Sequence, residues 1–114
     1  MINCCNTFHK STALTVTGDN LVITVTNSTN IASLDDFELV LCQKPSTVVT
    51  TAPIPIQITI NGTAVSLLNK YSLPIYSNRL CVRKKYYGSY VVPTTGDPFV
   101  ILWNTPDCSK YAVA

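Results

Sequence analysis

The sequence predicts an all-β chain, a small antiparallel β-sandwich or barrel of about seven to eight strands. Three observations carry this. Short runs of alternating apolar and polar residues recur at regular spacing, with Gly, Pro or Asn-Gly reversals between them. Threonine and valine dominate while Glu38 is the only glutamate, so helix formers are scarce. No stretch holds a 3.6-residue apolar period. At 114 residues the chain reads as a single domain over 1–114, large enough to bury a real core.

In order, Met1 to Lys10 (MINCCNTFHK) is unpatterned and reads as an extended N-terminal arm, with room for a short strand at Ile2 to Cys5. Ala13 to Thr17 and Asn20 to Thr26 alternate on either side of Gly18-Asp19, where glycine at the first central position suits a type II′ hairpin turn. Leu21, Ile23 and Val25 form its inward row, facing Leu14 and Val16. Asn27 to Asp36 is polar and turn-rich, with space for one helical turn at Ile31 to Leu34. Phe37 to Gln43 is a strand with Phe37, Leu39 and Leu41 on one face; Val40 and Cys42 are apolar too, which predicts cover on both faces. Lys44 to Ala52 is a loop.

Ile54 to Leu68 (IPIQITINGTAVSLL) organises the rest. Asn61-Gly62 is a strong hairpin signal, because a type I′ turn needs φ > 0 at both central residues. Ile60 then faces Thr63, Ile58 faces Val65 and Ile56 faces Leu67. Alternation puts Ile54, Ile56, Ile58, Ile60, Val65 and Leu67 on one side, and Gln57, Thr59, Ala64 and Ser66 on the other. Pro53 and Pro55 leave no amide donors on the far side, which predicts a sheet edge there. The alternative is a proline-rich loop that becomes a strand at Ile56.

Asn69 to Asn78 contains Pro74 and reads as a crossing loop over packed Leu73, Ile75 and Tyr76. Leu80 to Val82 is a candidate short strand. Tyr86 to Val92 is a strand with Gly88 as a bulge or close-approach point. Pro93 to Pro98 is a turn region, and Phe99 to Trp103 is a final strand apolar on both faces. The tail from Asn104 is weakly patterned.

Composition excludes more than it selects. Charged residues are only 12%, about half the usual share, which predicts that some surface meets a partner. A net charge of +2 is too small to argue for nucleic acid. No basic-then-apolar leader is recognisable, and no apolar run approaches the ~18 residues that signal a membrane span. Folding in a reducing cytoplasm is expected, with no disulfide framework among the five cysteines and with Cys42 and Cys81 as small buried hydrophobes.

Candidate chemistry is sparse. The chain has one histidine, no G-x-S-x-G, no P-loop and no G-x-G-x-x-G, so no enzyme is expected. Asp35-Asp36 suits capping better than paired acid–base work. Cys4, Cys5, His9 and Cys108 are metal-ligand types, but vicinal cysteines do not readily share one tetrahedral ion and C-x-x-C is absent; neither metal nor other cofactor is expected. Arg79, Arg83, Lys84 and Lys85, with Tyr86, Tyr87 and Tyr90, form the one basic and aromatic cluster. Such residues stack on single strands, block a sheet edge or form a protein interface; the interface reading fits best.

The run ITINGTAVSLLNKYSLPIYSNRL, then YYGSYVV, then FVILW, resembles β-modules of tailed-bacteriophage virion proteins of the head-fibre, capsid-decoration and tail-fibre type. The likeness covers Ile54 to Trp103. It implies a structural subunit docked on the head or tail, present in many copies as a homo-oligomer beside other virion proteins, and assembled in the host bacterial cytoplasm. The alternative is a receptor- or carbohydrate-binding sandwich using Tyr76, Tyr86, Tyr87 and Tyr90.

Overall fold

The computed structural model describes residues 8–104. Among them are seven strands: β1 (Phe8–Thr17), β2 (Asn20–Val25), β3 (Asp36–Val40), β4 (Ile56–Ile60), β5 (Thr63–Asn69), β6 (Lys85–Val91) and β7 (Phe99–Leu102), with a short 3-10 turn at Pro45–Thr47. They close into a barrel in the order β1-β2-β4-β5-β7-β6-β3, with β3 returning to β1. The all-β class and the small barrel follow the sequence. The pairing is mixed, not purely antiparallel: β1 with β3, β2 with β4 and β5 with β7 run parallel. Each such pair is separated in sequence by at least one other strand, so no local turn signal announces it.

The hairpin β4–β5 turns as expected, with Asn61 and Gly62 at φ 52° and 82°. Ile60 faces Thr63 and Ile58 faces Val65. Ile56, Ile58, Ile60, Val65 and Leu67 are buried, each worth roughly 1.5–3 kcal/mol of apolar transfer. Asn61 also ties down the preceding loop: its Oδ1 accepts from the Ile31 N–H (3.1 Å) and its Nδ2 donates to the Ile31 carbonyl (2.9 Å).

Two expectations fail at the other end of this hairpin. Ile56 does not bond Leu67, because the Ile75 backbone enters between them. Ile56 N–H donates to the Ile75 carbonyl (2.9 Å) and Ile75 N–H to that of Leu67 (3.1 Å). Nor is the proline stretch a bare edge. β2 runs parallel beside β4, and Leu21 N–H donates to the Pro55 carbonyl at 2.9 Å, a bond that needs no proline donor. The strand itself starts at Ile56, as in the loop alternative.

The first hairpin pairs Thr17 with Asn20 and Leu14 with Ile23 around Gly18 (φ 60°). Leu21, Ile23 and Val25 are buried and Leu14 packs against them, but Val16 remains exposed. The arm's last residues, 8–10, belong to β1 and close the ring on β3 through three register pairs, Phe8 to Glu38, His9 to Leu39 and Lys10 to Val40; residues 1–7 lie outside the described part. Phe37, Leu39 and Leu41 point inward, whereas Cys42 is exposed, so the outer face of that strand is not fully covered. Ile31 to Leu34 forms a tight turn, not a helix: Asp35 N–H donates to the Ala32 carbonyl (3.1 Å) while the Asp35 carboxylate accepts from the Ala32 N–H (2.8 Å). Of the residues expected beneath the crossing loop, only Ile75 is buried; Leu73 and Tyr76 are exposed. Val82 makes an isolated parallel bridge to Leu41 in place of a strand.

Gly88 is a close-approach point. A Cβ built on it would lie 1.8 Å from the Ile101 carbonyl oxygen. It sits between Tyr86 and Tyr90 on the inward row of β6, where the backbone of β7 occupies the space a side chain would take.

Candidate protein interface

The register places charge at the two ends of the barrel. β3 and β6 run from Asp36 opposite Ser89 to Val40 opposite Lys85, and β6 and β7 from Val91 opposite Phe99 to Gly88 opposite Leu102. Asp35, Asp36 and the loop bearing Asp97 therefore share one end. Lys84, Lys85 and the Trp103-Asn104 segment share the other, together with Lys70 at the end of β5, since Asn69 pairs with Leu102. The register thus sets the basic cluster apart from Asp35, Asp36 and Asp97, while the Gly18-Asp19 turn leaves one aspartate at the basic end.

At the basic end three segments distant in sequence meet around an open groove of about 810 Å³. The crossing loop brings Tyr71, Leu73, Pro74, Ile75 and Tyr76; Arg79 and Lys84 follow, and Trp103 with Asn104 completes the wall. Tyr71 is 71% exposed, Leu73 57% and Trp103 52%, an unusual density of large apolar side chains left in solvent. The crossing loop holds them outward because Asn69 acts as its brace: Asn69 Oδ1 accepts from both Tyr71 N–H (2.9 Å) and Leu73 N–H (3.1 Å). Trp103 is held by its own N–H, which donates to the Tyr87 carbonyl (2.7 Å). Lys70 Nζ lies 5.4 Å from the centre of the Tyr71 ring, within cation–π range.

The groove's two asparagines brace the backbone around it. Asn69 Oδ1 serves the loop as above. Asn104 Oδ1 accepts from Tyr87 N–H (2.7 Å) and its Nδ2 donates to the Lys85 carbonyl (3.0 Å). Among the described residues the groove is lined by aromatic and aliphatic surface with Lys70, Arg79 and Lys84 at its rim, and by no aspartate or glutamate.

The predicted cluster is thus split. Arg79 and Lys84 line the groove, Tyr87 is exposed nearby, and Lys85 sits 3.8 Å from Glu38 as a surface pair of small energetic weight. Arg83 is exposed in a turn at φ 67°. Tyr86 and Tyr90 are core residues, not contact residues: both are buried, and the Tyr86 hydroxyl accepts from the Cys81 N–H at 2.6 Å. Burial pushes the Tyr86 phenol above its usual value, partly offset by that bond. Alternation already places Tyr86, Gly88 and Tyr90 on one face, and that face is the inner one. Tyr71, Leu73 and Trp103 are exposed groove residues that the sequence does not single out as a cluster; their only signal is adjacency to turns.

His9 is not placed as a ligand. It is buried, and its Nδ1 lies 2.9 Å from the Thr26 carbonyl oxygen. Beside it Ser11, also buried, donates to Gln43 Oε1 (2.5 Å) and accepts from Cys42 N–H (2.8 Å). Among the described residues no group of three His, Cys, Asp or Glu side chains is arranged for a metal ion; Cys4, Cys5 and Cys108 lie outside them. Both cysteine expectations inside the described part are overturned. Cys42 is a free thiol on the surface, and Cys81 is disulfide-bonded. An odd total excludes neither, since it leaves room for a pair beside a free thiol.

Comparisons with protein-family models, with curated proteins and with solved structures find no match. None of them links the chain to virion modules. Among the described residues no helix is long and apolar enough to cross a membrane.

Proposed function

We propose that this chain is a non-enzymatic structural subunit that works by docking to protein neighbours, with the groove at the basic end of the barrel as its contact surface. The observation that carries the reading is the exposure of Tyr71, Leu73, Tyr76 and Trp103 around one groove. Aromatic and arginine side chains are the residue types that concentrate binding energy in protein interfaces. A closed barrel offers no edge strand for addition, so side-chain surface is the means of association left to it.

The particle-building role implied by the resemblance, a small β subunit on a phage head or tail, is the form of this reading we favour. The disulfide at Cys81 supports a chain displayed outside the cell, as on a released particle, over one kept permanently in reducing cytosol. The carbohydrate alternative would stack a sugar on the same exposed rings, Tyr71, Tyr76 and Trp103. Light scattering over a range of concentrations, run beside a glycan array, tests the reading. Self-association or incorporation into particles, without glycan retention, is the expected result. A monomer at every concentration that retains a glycan would overturn it. Genes for capsid, portal or tail proteins beside this one would favour the phage form.

A further inference from the structure

Taking the assembly reading as its basis, we infer that the groove receives a second copy of this chain, which inserts the Leu34-Asp35-Asp36 corner at the opposite end of its barrel. That corner has the complementary chemistry. Leu34 is 74% exposed, the most exposed of the large apolar side chains among the described residues. It is flanked by the Asp35 and Asp36 carboxylates, while the groove presents aromatic and aliphatic surface with Lys70 and Lys84 at its rim. Leu34 is also held at φ 74°, a conformation that a leucine adopts only at a cost. Its N–H donates to the Tyr90 carbonyl at 2.6 Å, and Ser33 Oγ accepts from Val92 N–H at 3.0 Å. These bonds clamp the corner to β6 and keep the side chain turned outward with nothing in its own barrel to cover it.

The two surfaces lie at opposite ends of one subunit, so their contact is heterologous. Copies add head to tail, as a ring if the rotation closes and as a filament if it does not. Salt must weaken the contact, because the carboxylates and ammonium groups that steer it are at its exposed rim.

The test uses sedimentation velocity of the full chain with two surface variants. Leu34→Asn removes the apolar tip and installs a residue that tolerates positive φ, so the monomer keeps or gains stability while self-association weakens about tenfold or more. Lys84→Glu, on an exposed side chain, weakens self-association similarly from the groove side. Mixed one to one, the two variants form a dimer and stop there, because the intact corner of one fits only the intact groove of the other. The single tryptophan of the chain, Trp103, reports the contact directly through reduced acrylamide quenching on association. If Lys84→Glu abolishes assembly and Leu34→Asn does not, the groove takes another partner: this proposal fails and the docking reading survives. If neither variant alters the assembly of the wild-type chain, or the mixture stays monomeric while the wild type assembles, the proposal fails. A wild-type chain that is monomeric throughout also overturns it, and binding of glycan by that monomer would remove the assembly reading with it.

Discussion

His9 lies flat against Phe37, with ring centroids 4.1 Å apart and planes within 12°. The stack sits at the seam where β1 closes on β3, and the imidazole is buried there with its Nδ1 toward the Thr26 carbonyl. Desolvation lowers its pKa below the ordinary 6.5, against smaller opposing effects from the Thr26 carbonyl and the Glu38 carboxylate. The unfolded chain therefore takes up a proton first as pH falls. The stability contribution is fully present above pH 6.5 and is lost progressively below it, until the folded-state value is passed. Urea midpoints measured from pH 7.5 down to 5 should fall in the wild type through this window, and His9→Gln should lack that portion of the slope.

Gly88→Ala should be among the most damaging small substitutions in the chain. The new methyl group would meet the Ile101 backbone, which cannot move without breaking the β6–β7 ladder. A loss of more than about 3 kcal/mol, or failure to fold, is expected. Gly62→Ala is the control: nothing lies within 4 Å, but φ is 82°, so only about 1–2 kcal/mol is expected. Denaturant titration separates the two.

Tyr86→Phe keeps the buried ring and deletes the acceptor of the Cys81 N–H. A loss of about 1–3 kcal/mol is expected for the amide left unsatisfied. Because burial raises the phenol's pKa, the unfolded chain ionises first at high pH. The wild type should accordingly lose stability above pH 10 more steeply than the variant does.

Asn61→Gly removes both the Nδ2 donor to the Ile31 carbonyl and the Oδ1 acceptor of the Ile31 N–H. The turn conformation tolerates the change, so the hairpin should survive while the loop at 27–35 loosens. Hydrogen exchange at the Ile31 amide, which Asn61 Oδ1 now protects, should accelerate with little change in the core amides of β4.

Maleimide labelling of the native, non-reduced chain followed by peptide mapping should modify Cys42 and spare Cys81. Prior reduction should expose Cys81 to the reagent. Labelling of Cys81 without reduction would refute the bonded state.

The parts legible in the sequence were those written in local periodicity. The isoleucines of β4 sit in water or in the core according to a single register, and Asn61-Gly62 leaves one register open. The same holds for Leu21, Ile23 and Val25. What was not legible is which strand lies beside which: β2 meets β4 and β5 meets β7 through contacts with no local mark, and the Pro55 carbonyl shows how a residue that looks like an edge serves a neighbour. The candidate site was half legible for the same reason. Arg79 and Lys84 stand out as charges, but Tyr71 and Trp103 become neighbours only once Asn69 pairs with Leu102. Tyr86 and Tyr90 share the inward row with Gly88, opposite a row that carries Lys85 and Ser89; grouping them with the neighbouring charges by sequence proximity overlooked that alternation.

The order in which the ring is joined has a bearing on biosynthesis. Among the described strands β7 is the last to be translated, yet it is the piece that fits between β5 and β6. Until Leu102 emerges from the ribosome, both of those neighbours present unsatisfied backbone to the cell. A nascent chain, or one terminated before β7, is thus a source of clumping, and chaperone demand should peak just before β7 is complete.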